Sequence, residues 1–91
     1  MTSASASKAT KKATVIVRLK REVLDPQGDA VRRALSTMGF GDVGTVRIGK
    51  IIEIELPAGA DDDAALRTKL AKMSDELLAN PVIEEYEVIV G

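Results

Sequence analysis

The stretch V-G-T-V-R-I-G-K-I-I-E-I-E-L, Val43 to Leu56, decides how many strands this chain can offer to a sheet. Its second half alternates cleanly, with Ile52, Ile54 and Leu56 on one side and Ile51, Glu53 and Glu55 on the other. Its first half alternates only weakly, with Val46 and Ile48 on one face. Gly49-Lys50 divides the halves, so the stretch is either two strands joined at a tight turn or one long strand bent at Gly49.

Upstream, Ala13 to Lys20 reads as a strand, with Val15, Val17 and Leu19 on one face and Ile16, Arg18 and Lys20 on the other. Between it and the deciding stretch, Asp25-Pro26 has the form of an N-cap followed by proline at the first helical position. Val31, Ala34, Leu35 and Met38 follow at helical spacing, and Gly39 supplies a left-handed stop, which predicts a helix over about Gln27–Met38. Downstream, Pro57 to Ala60 is a loop, and Asp61-Asp62-Asp63 opens a second helix whose apolar stripe is Leu66, Leu70, Met73 and Leu77, supported by Ala65 and Leu78. Asn80-Pro81 ends it. Tyr86, Val88 and Val90 then alternate with Glu85, Glu87 and Ile89 in a last strand.

Taken with two strands in the middle, the order is β-α-β-β-α-β, which predicts an α+β ferredoxin-like sandwich: two helices packed on one face of an antiparallel sheet. The opposite face would carry Ile16, Ile51 and Ile89 among Arg18, Glu53 and Glu87. Three isoleucines there are either a self-association surface or ordinary scattered apolar residues.

Composition narrows the function. The chain has 91 residues, room for one small domain, which we place at residues 13–91 behind a disordered tail at 1–12. Hydrophobic residues are 45% and aromatics only 2% (Phe40 and Tyr86), so aliphatic side chains must build the core. So small a core favours an oligomer or a partner complex. There is no Cys and no His. Disulfides, zinc sites, thiol chemistry and any Ser-His or Cys-His nucleophile pair are thereby excluded. Residues 1–12 carry three lysines and no acid, whereas the remainder carries 10 basic and 14 acidic groups. An acidic, aromatic-poor body is a poor nucleic-acid binder. No apolar run is long enough to span a membrane, and the first residues lack the hydrophobic centre of a secretory signal.

Each chemically suggestive cluster has a plainer reading. Asp61-Asp62-Asp63 lacks the alternate-position acids of a calcium loop and suits the first turn of a helix. Glu53 and Glu55 are ordinary acids on a solvated strand face rather than a catalytic pair. Gly39, Gly41 and Gly44 have dinucleotide-fingerprint spacing, but they lie between a helix and a strand, the wrong order. Arg47 and Lys50 beside Gly49 could hold an anion, though a turn with solvated cations explains them. Ser36, Thr37 and Ser74 have no base to activate them. No catalytic residue and no metal ligand is expected; the residues describe a binding or assembly module.

Six blocks occur in order: V-x-V-x-L-K at 15–20, V-L-D-P-Q-G at 23–28, A-L-x-x-M-G-F at 34–40, V-x-x-V-R-I-G-K at 43–50, I-E-I-E-L at 52–56 and L-L-A-N-P-V-I-E at 77–84. Together they resemble the PurS family, the small subunit of phosphoribosylformylglycinamidine synthase, over about Ala13 to Val90. The resemblance implies a non-catalytic cytoplasmic subunit of a purine-biosynthetic complex that uses ATP and Mg, itself binding no cofactor. It implies homo-oligomers, a dimer or possibly a tetramer, that bridge a glutaminase subunit to a large ATP-dependent synthase subunit and help to hand ammonia across. On this reading the sheet, through Ile16, Ile51 and Ile89, serves self-association. The loop blocks Asp25, Pro26, Gln27 and Gly28, then Arg47, Gly49 and Lys50, then Asn80 and Pro81, serve the larger partners.

Two other readings compete. A ferredoxin-like regulatory domain would bind an amino acid or nucleotide between two copies. A small phosphatase of the acylphosphatase kind would need an Arg cradle and a water-positioning Asn. Arg21 and Asn80 exist, but no glycine-rich loop surrounds either.

Overall fold

The computed structural model describes residues 10–59 and 61–91. Three strands and two helices alternate along it: β1 (Thr10–Leu19), α1 (Pro26–Thr37), β2 (Gly49–Pro57), α2 (Asp63–Met73) and β3 (Glu84–Val90). The strands form one antiparallel sheet in the order β2-β1-β3. The class is α+β, as expected, but among the described residues the sheet has three strands, not four. The tail expectation for residues 1–9 lies outside the described residues, and β1 takes up Thr10 to Lys12 opposite Pro57 to Glu55.

Val43 to Ile48 forms no strand, which corrects the four-strand order. Both ends of the segment are bonded outside the sheet, the Val43 amide to the Phe40 carbonyl and Ile48 to the start of α1. The Ile48 amide donates to Asp25 Oδ2 at 2.7 Å, and Gly28 lies so close to Val46 that a Cβ on it would sit 2.0 Å from the Val46 carbonyl oxygen. The Ile48 amide, so engaged, is not free to join a ladder with β2. Gly49 is where β2 begins, directly opposite Arg18.

The core lies between the sheet and α2. Ala13, Val15 and Val17 are buried from the centre of β1, Leu56 from β2, and Leu66 and Leu70 from α2. Ile52, Ile54, Tyr86, Val88 and Val90 pack around them, so the period-two faces read from the sequence are the real ones. Asp62 caps α2 by accepting from the Ala65 amide at 2.8 Å. Ion pairs of Lys11 with Asp63 and of Lys69 with Asp61 tie down the same end, and the Tyr86 hydroxyl donates to the Ala71 carbonyl at its other end.

The α2 stripe departs from expectation at its last member. Past Met73 the chain continues through one wide turn, Ser74–Leu78, closed by the Ala79 amide on the Ser74 carbonyl. One extra residue per turn rotates the face by a position. Ser74 becomes fully buried, donating to the Leu70 carbonyl at 2.8 Å, and Leu78 packs on the core. Leu77, expected inside, is 83% exposed.

Helix α1 departs further. The sequence predicted it beside α2 on the sheet, yet its packing against the sheet is sparse. Val31 and Met38 from the expected stripe are exposed, as are Leu24 before the helix and Phe40 after it; only Leu35 is half-buried. The helix runs off the end of the sheet. A 10-residue strand and a 12-residue helix set end to end span about 33 and 18 Å respectively. The molecule's longest dimension is 50 Å.

Candidate functional site

The three loop blocks singled out from the sequence gather at one end of the sheet, where β1 finishes and β2 and β3 start. Two backbone links assemble this end. The Lys20 amide donates to the Ile83 carbonyl at 2.9 Å, joining the end of β1 to the turn before β3. Asp25 joins the start of α1 to the start of β2: its Oδ1 accepts from the Gly28 amide at 2.8 Å while its Oδ2 accepts from Ile48. Asp25 is 5% exposed and serves as the N-cap of α1. Those amide bonds from Ile48 and Gly28, with Arg47 adding a smaller share, hold its carboxyl below the usual aspartate range against the opposing effect of burial.

Arg47 is committed in the same way. Its Nη2 donates to the Lys20 carbonyl at 2.9 Å and the Val23 carbonyl at 3.1 Å, with Leu19 at 3.5 Å. The guanidinium thus clips the connection that follows β1. Both cations are exposed, as expected of a turn, but Arg47 is also a brace bonded to backbone carbonyls. Gly28 and Gly49 are close-approach positions, since a Cβ on Gly49 would lie 2.5 Å from the Val17 carbonyl oxygen.

Asn80 builds the third corner. Its carbonyl accepts from the Ile83 and Glu84 amides, its Oδ1 accepts from the Val82 amide at 3.0 Å, and its own amide donates to Glu84 Oε1 at 2.6 Å. Pro81 sits at the exposed tip of this turn. A shallow depression of about 290 Å³ joins the first two blocks; its lining includes Asp25, Gln27, Gly49, Lys50 and Glu84. Beside it a second, of about 490 Å³, is lined by Arg18, Leu19, Arg21, Arg47 and Glu85. Asn80 and Pro81 line neither. The nine residues therefore divide. Asp25, Gly28, Arg47, Gly49 and Asn80 build the end of the sheet, and Pro26, Gln27, Lys50 and Pro81 present it outward.

The three isoleucines lie on the sheet face opposite the core. Ile16 stands directly across from Ile51, and Ile89 across from Thr14 on the other side. Ile51 is 66% exposed, Ile89 is exposed and Ile16 half-buried. Around them stand Glu53, Glu55, Glu85 and Glu87, against Lys12 and Arg18, with one ion pair between Arg18 and Glu87 at 3.5 Å. Among the described residues no group of three acidic, His or Cys side chains is placed to hold a metal ion, and no helix is long and apolar enough to cross a membrane.

What sequence reading missed is the apolar surface of α1. Its stripe was visible as periodicity, but periodicity does not report what the stripe faces.

A family model described as PurS, phosphoribosylformylglycinamidine (FGAM) synthase, matches residues 12–91. The PurS subunit of phosphoribosylformylglycinamidine synthase from Bacillus subtilis is 45% identical over 75 residues, covering 82% of this chain and 86% of the relative. That from Methanocaldococcus jannaschii is 40% identical over 79 residues, covering 87% and 93%. Among solved structures, a chain of PurLQS from Thermotoga maritima superposes with a TM-score of 0.78 at 33% identity, covering 90% of this chain and 98% of that one.

Proposed function

This chain belongs to the PurS family, and on that premise we propose that it is the small subunit of phosphoribosylformylglycinamidine synthase, a structural member of a complex in de novo purine biosynthesis. The carrying observation is the match from residue 12 to residue 91, which takes in every strand, both helices and all three loop blocks. The Thermotoga maritima chain of the same fold comes from a structure of PurLQS. By that likeness this chain assembles with a glutaminase subunit and a large ATP-dependent subunit.

Its chemistry supports a bridge rather than a catalyst. It carries neither His nor Cys, so it cannot supply a glutaminase nucleophile of the Cys-His kind; on this reading that step and the ATP-dependent step, with its ATP and Mg, belong to the partners. A bridge needs one surface for its own copies and another for the larger subunits. The exposed Ile16, Ile51 and Ile89 face supplies an apolar surface of the first kind. The end of the sheet supplies the second. Asp25, Gly28, Arg47 and Asn80 stiffen it from within, so that Pro26, Gln27, Lys50 and Pro81 meet a partner without first being ordered. The complex works in the cytoplasm on this reading.

The test mixes the purified chain with the matching glutaminase and large subunits, followed by size exclusion with light scattering. Omitting the chain should abolish glutamine-dependent turnover and spare turnover on free ammonia. Lys50→Glu with Gln27→Ala should weaken incorporation by about tenfold or more, the scale of a small polar hot spot at an interface. Full turnover without the chain would overturn the bridging role; unchanged incorporation of the variant would overturn the sheet end as the partner surface.

A further inference from the structure

The run R-L-K-R, Arg18 to Arg21, closes β1 with cations, and the fold brings Arg47 to it. The depression of about 490 Å³ at this place is lined by Arg18, Leu19, Arg21, Arg47 and Glu85. Three of these five residues are arginine and one is acidic, although the chain from residue 13 onward carries more acids than bases.

Each arginine is presented by a different device. Arg47 is fixed through Nη2, which donates to the Lys20 and Val23 carbonyls. Its donors on Nε and Nη1 have no protein acceptor among the described residues. The same two residues are the ends of a tight turn, closed by the Val23 amide on the Lys20 carbonyl at 2.9 Å, so the guanidinium also steadies that turn. Arg21 stands in it, exposed, and makes no ion pair among the described residues. Arg18 comes from β1, with Glu85 across the ladder and Glu87 as its ion-pair partner at 3.5 Å. That pair is long and half-exposed, and surface pairs of this kind hold weakly. Of the other acids nearby, Asp25 has both oxygens taken by the Gly28 and Ile48 amides, and Glu22 is not part of the lining. Like charges gathered in this way repel, and an anion among them relieves the repulsion. We propose that Arg18, Arg21 and Arg47 form a binding site for the phosphate group of a small ligand.

The number of cations selects phosphate over carboxylate. A carboxylate offers two oxygens, which a single guanidinium fork satisfies. A phosphate group carries about −1.5 to −2 charges at pH 7 and three acceptor oxygens, which suits several arginines at once. The volume lies within the range of about 300–1,000 Å³ usual for small-ligand sites. Lys50, grouped with Arg47 in the sequence, lines the neighbouring depression instead. The site is complete within this chain and does not depend on the subunit role.

The full chain, isotope-labelled, would be titrated at low ionic strength with glycerol 3-phosphate, with inorganic phosphate, and with acetate as the carboxylate control. Both phosphates should shift the amides of Lys20 to Val23 and the Arg47 side-chain signal saturably, with acetate weaker by about tenfold or more. Tighter binding of glycerol 3-phosphate supports the site as one for a phosphate ester, and equal binding supports it as one for the free ion. Arg21→Ala and Arg18→Gln, each folded by circular dichroism, should each weaken binding by about tenfold, the scale of one charge-assisted hydrogen bond. Arg33→Ala, at an exposed position on α1, should leave binding unchanged. Failure to saturate, acetate bound as tightly as phosphate, full binding in both Arg21→Ala and Arg18→Gln, or an equal loss in Arg33→Ala overturns the proposal.

Discussion

The sheet with α2 and the segment from Leu24 to Ile48 are built from similar residues and end in opposite conditions. In the first, a period-two pattern and a helical stripe meet each other, and Val15, Val17, Leu66 and Leu70 are essentially withdrawn from water. In the second, an equally regular stripe meets solvent, and the segment is held by polar contacts at its base: Asp25 to Ile48 and Gly28, and Arg47 to the Lys20 and Val23 carbonyls. The difference teaches that amphipathicity promises a packing surface without naming its location. In α2 the surface is internal to the chain; in α1 it is offered outward.

The comparison can be broken most forcefully in the core. Leu70→Ala removes a fully buried side chain and should destabilise the fold by about 3 kcal/mol in urea unfolding, whereas Val31→Ala should leave protomer unfolding within about 0.5 kcal/mol. Equal costs would mean that α1 is packed within its own protomer. At the base of α1, Gly28→Ala drives a Cβ into the Val46 carbonyl, and overpacking of this kind costs about 1–3 kcal/mol. Its signature should be local: faster amide hydrogen exchange in α1 and at Ile48, with β1 unchanged.

A finer comparison lies within α2. Leu78→Ala should cost about 1–2 kcal/mol more than Leu77→Ala in the protomer, because the wide Ser74–Leu78 turn sends Leu78 and not Leu77 to the core. The reverse order would restore a regular helix there. The smallest effect is on pH. The Asp25 carboxyl has a folded pKa below its ordinary value, so the stability it contributes is present above the unfolded value and is lost as pH falls through the folded one. Unfolding followed from pH 6 toward pH 3 should show a loss of stability that is smaller in Asp25→Asn. An identical acid profile in the variant would mean that the Ile48 and Gly28 bonds do not bind the charged form preferentially.

Much was legible because it depends on local period and local chemistry. The three strands, the two helices, the Asp25 cap, the acidic opening of α2 and the positive φ of Gly39 follow from side-chain alternation, from carboxylates next to free amides, and from the freedom of glycine. The open face of Ile16, Ile51 and Ile89 follows from the same alternation. The family itself was legible in six ordered blocks. Three of them mark the loops that the fold brings together.

The rest was decided by contacts between residues far apart in the chain. The sequence by itself determined that the chain is an α+β module without His or Cys, and where its helices start. Only the tertiary structure decided that Val43 to Ile48 forms no strand, and that Asp25, 23 residues before Ile48, takes up its amide. It alone decided that the exposed Arg47 braces carbonyls of the connection after β1, that one extra residue in a turn turns Leu77 outward, and that α1 leaves the sheet. Hydrogen-bond partners and burial depend on where other segments lie, and one-dimensional periodicity fixes only which residues share a face.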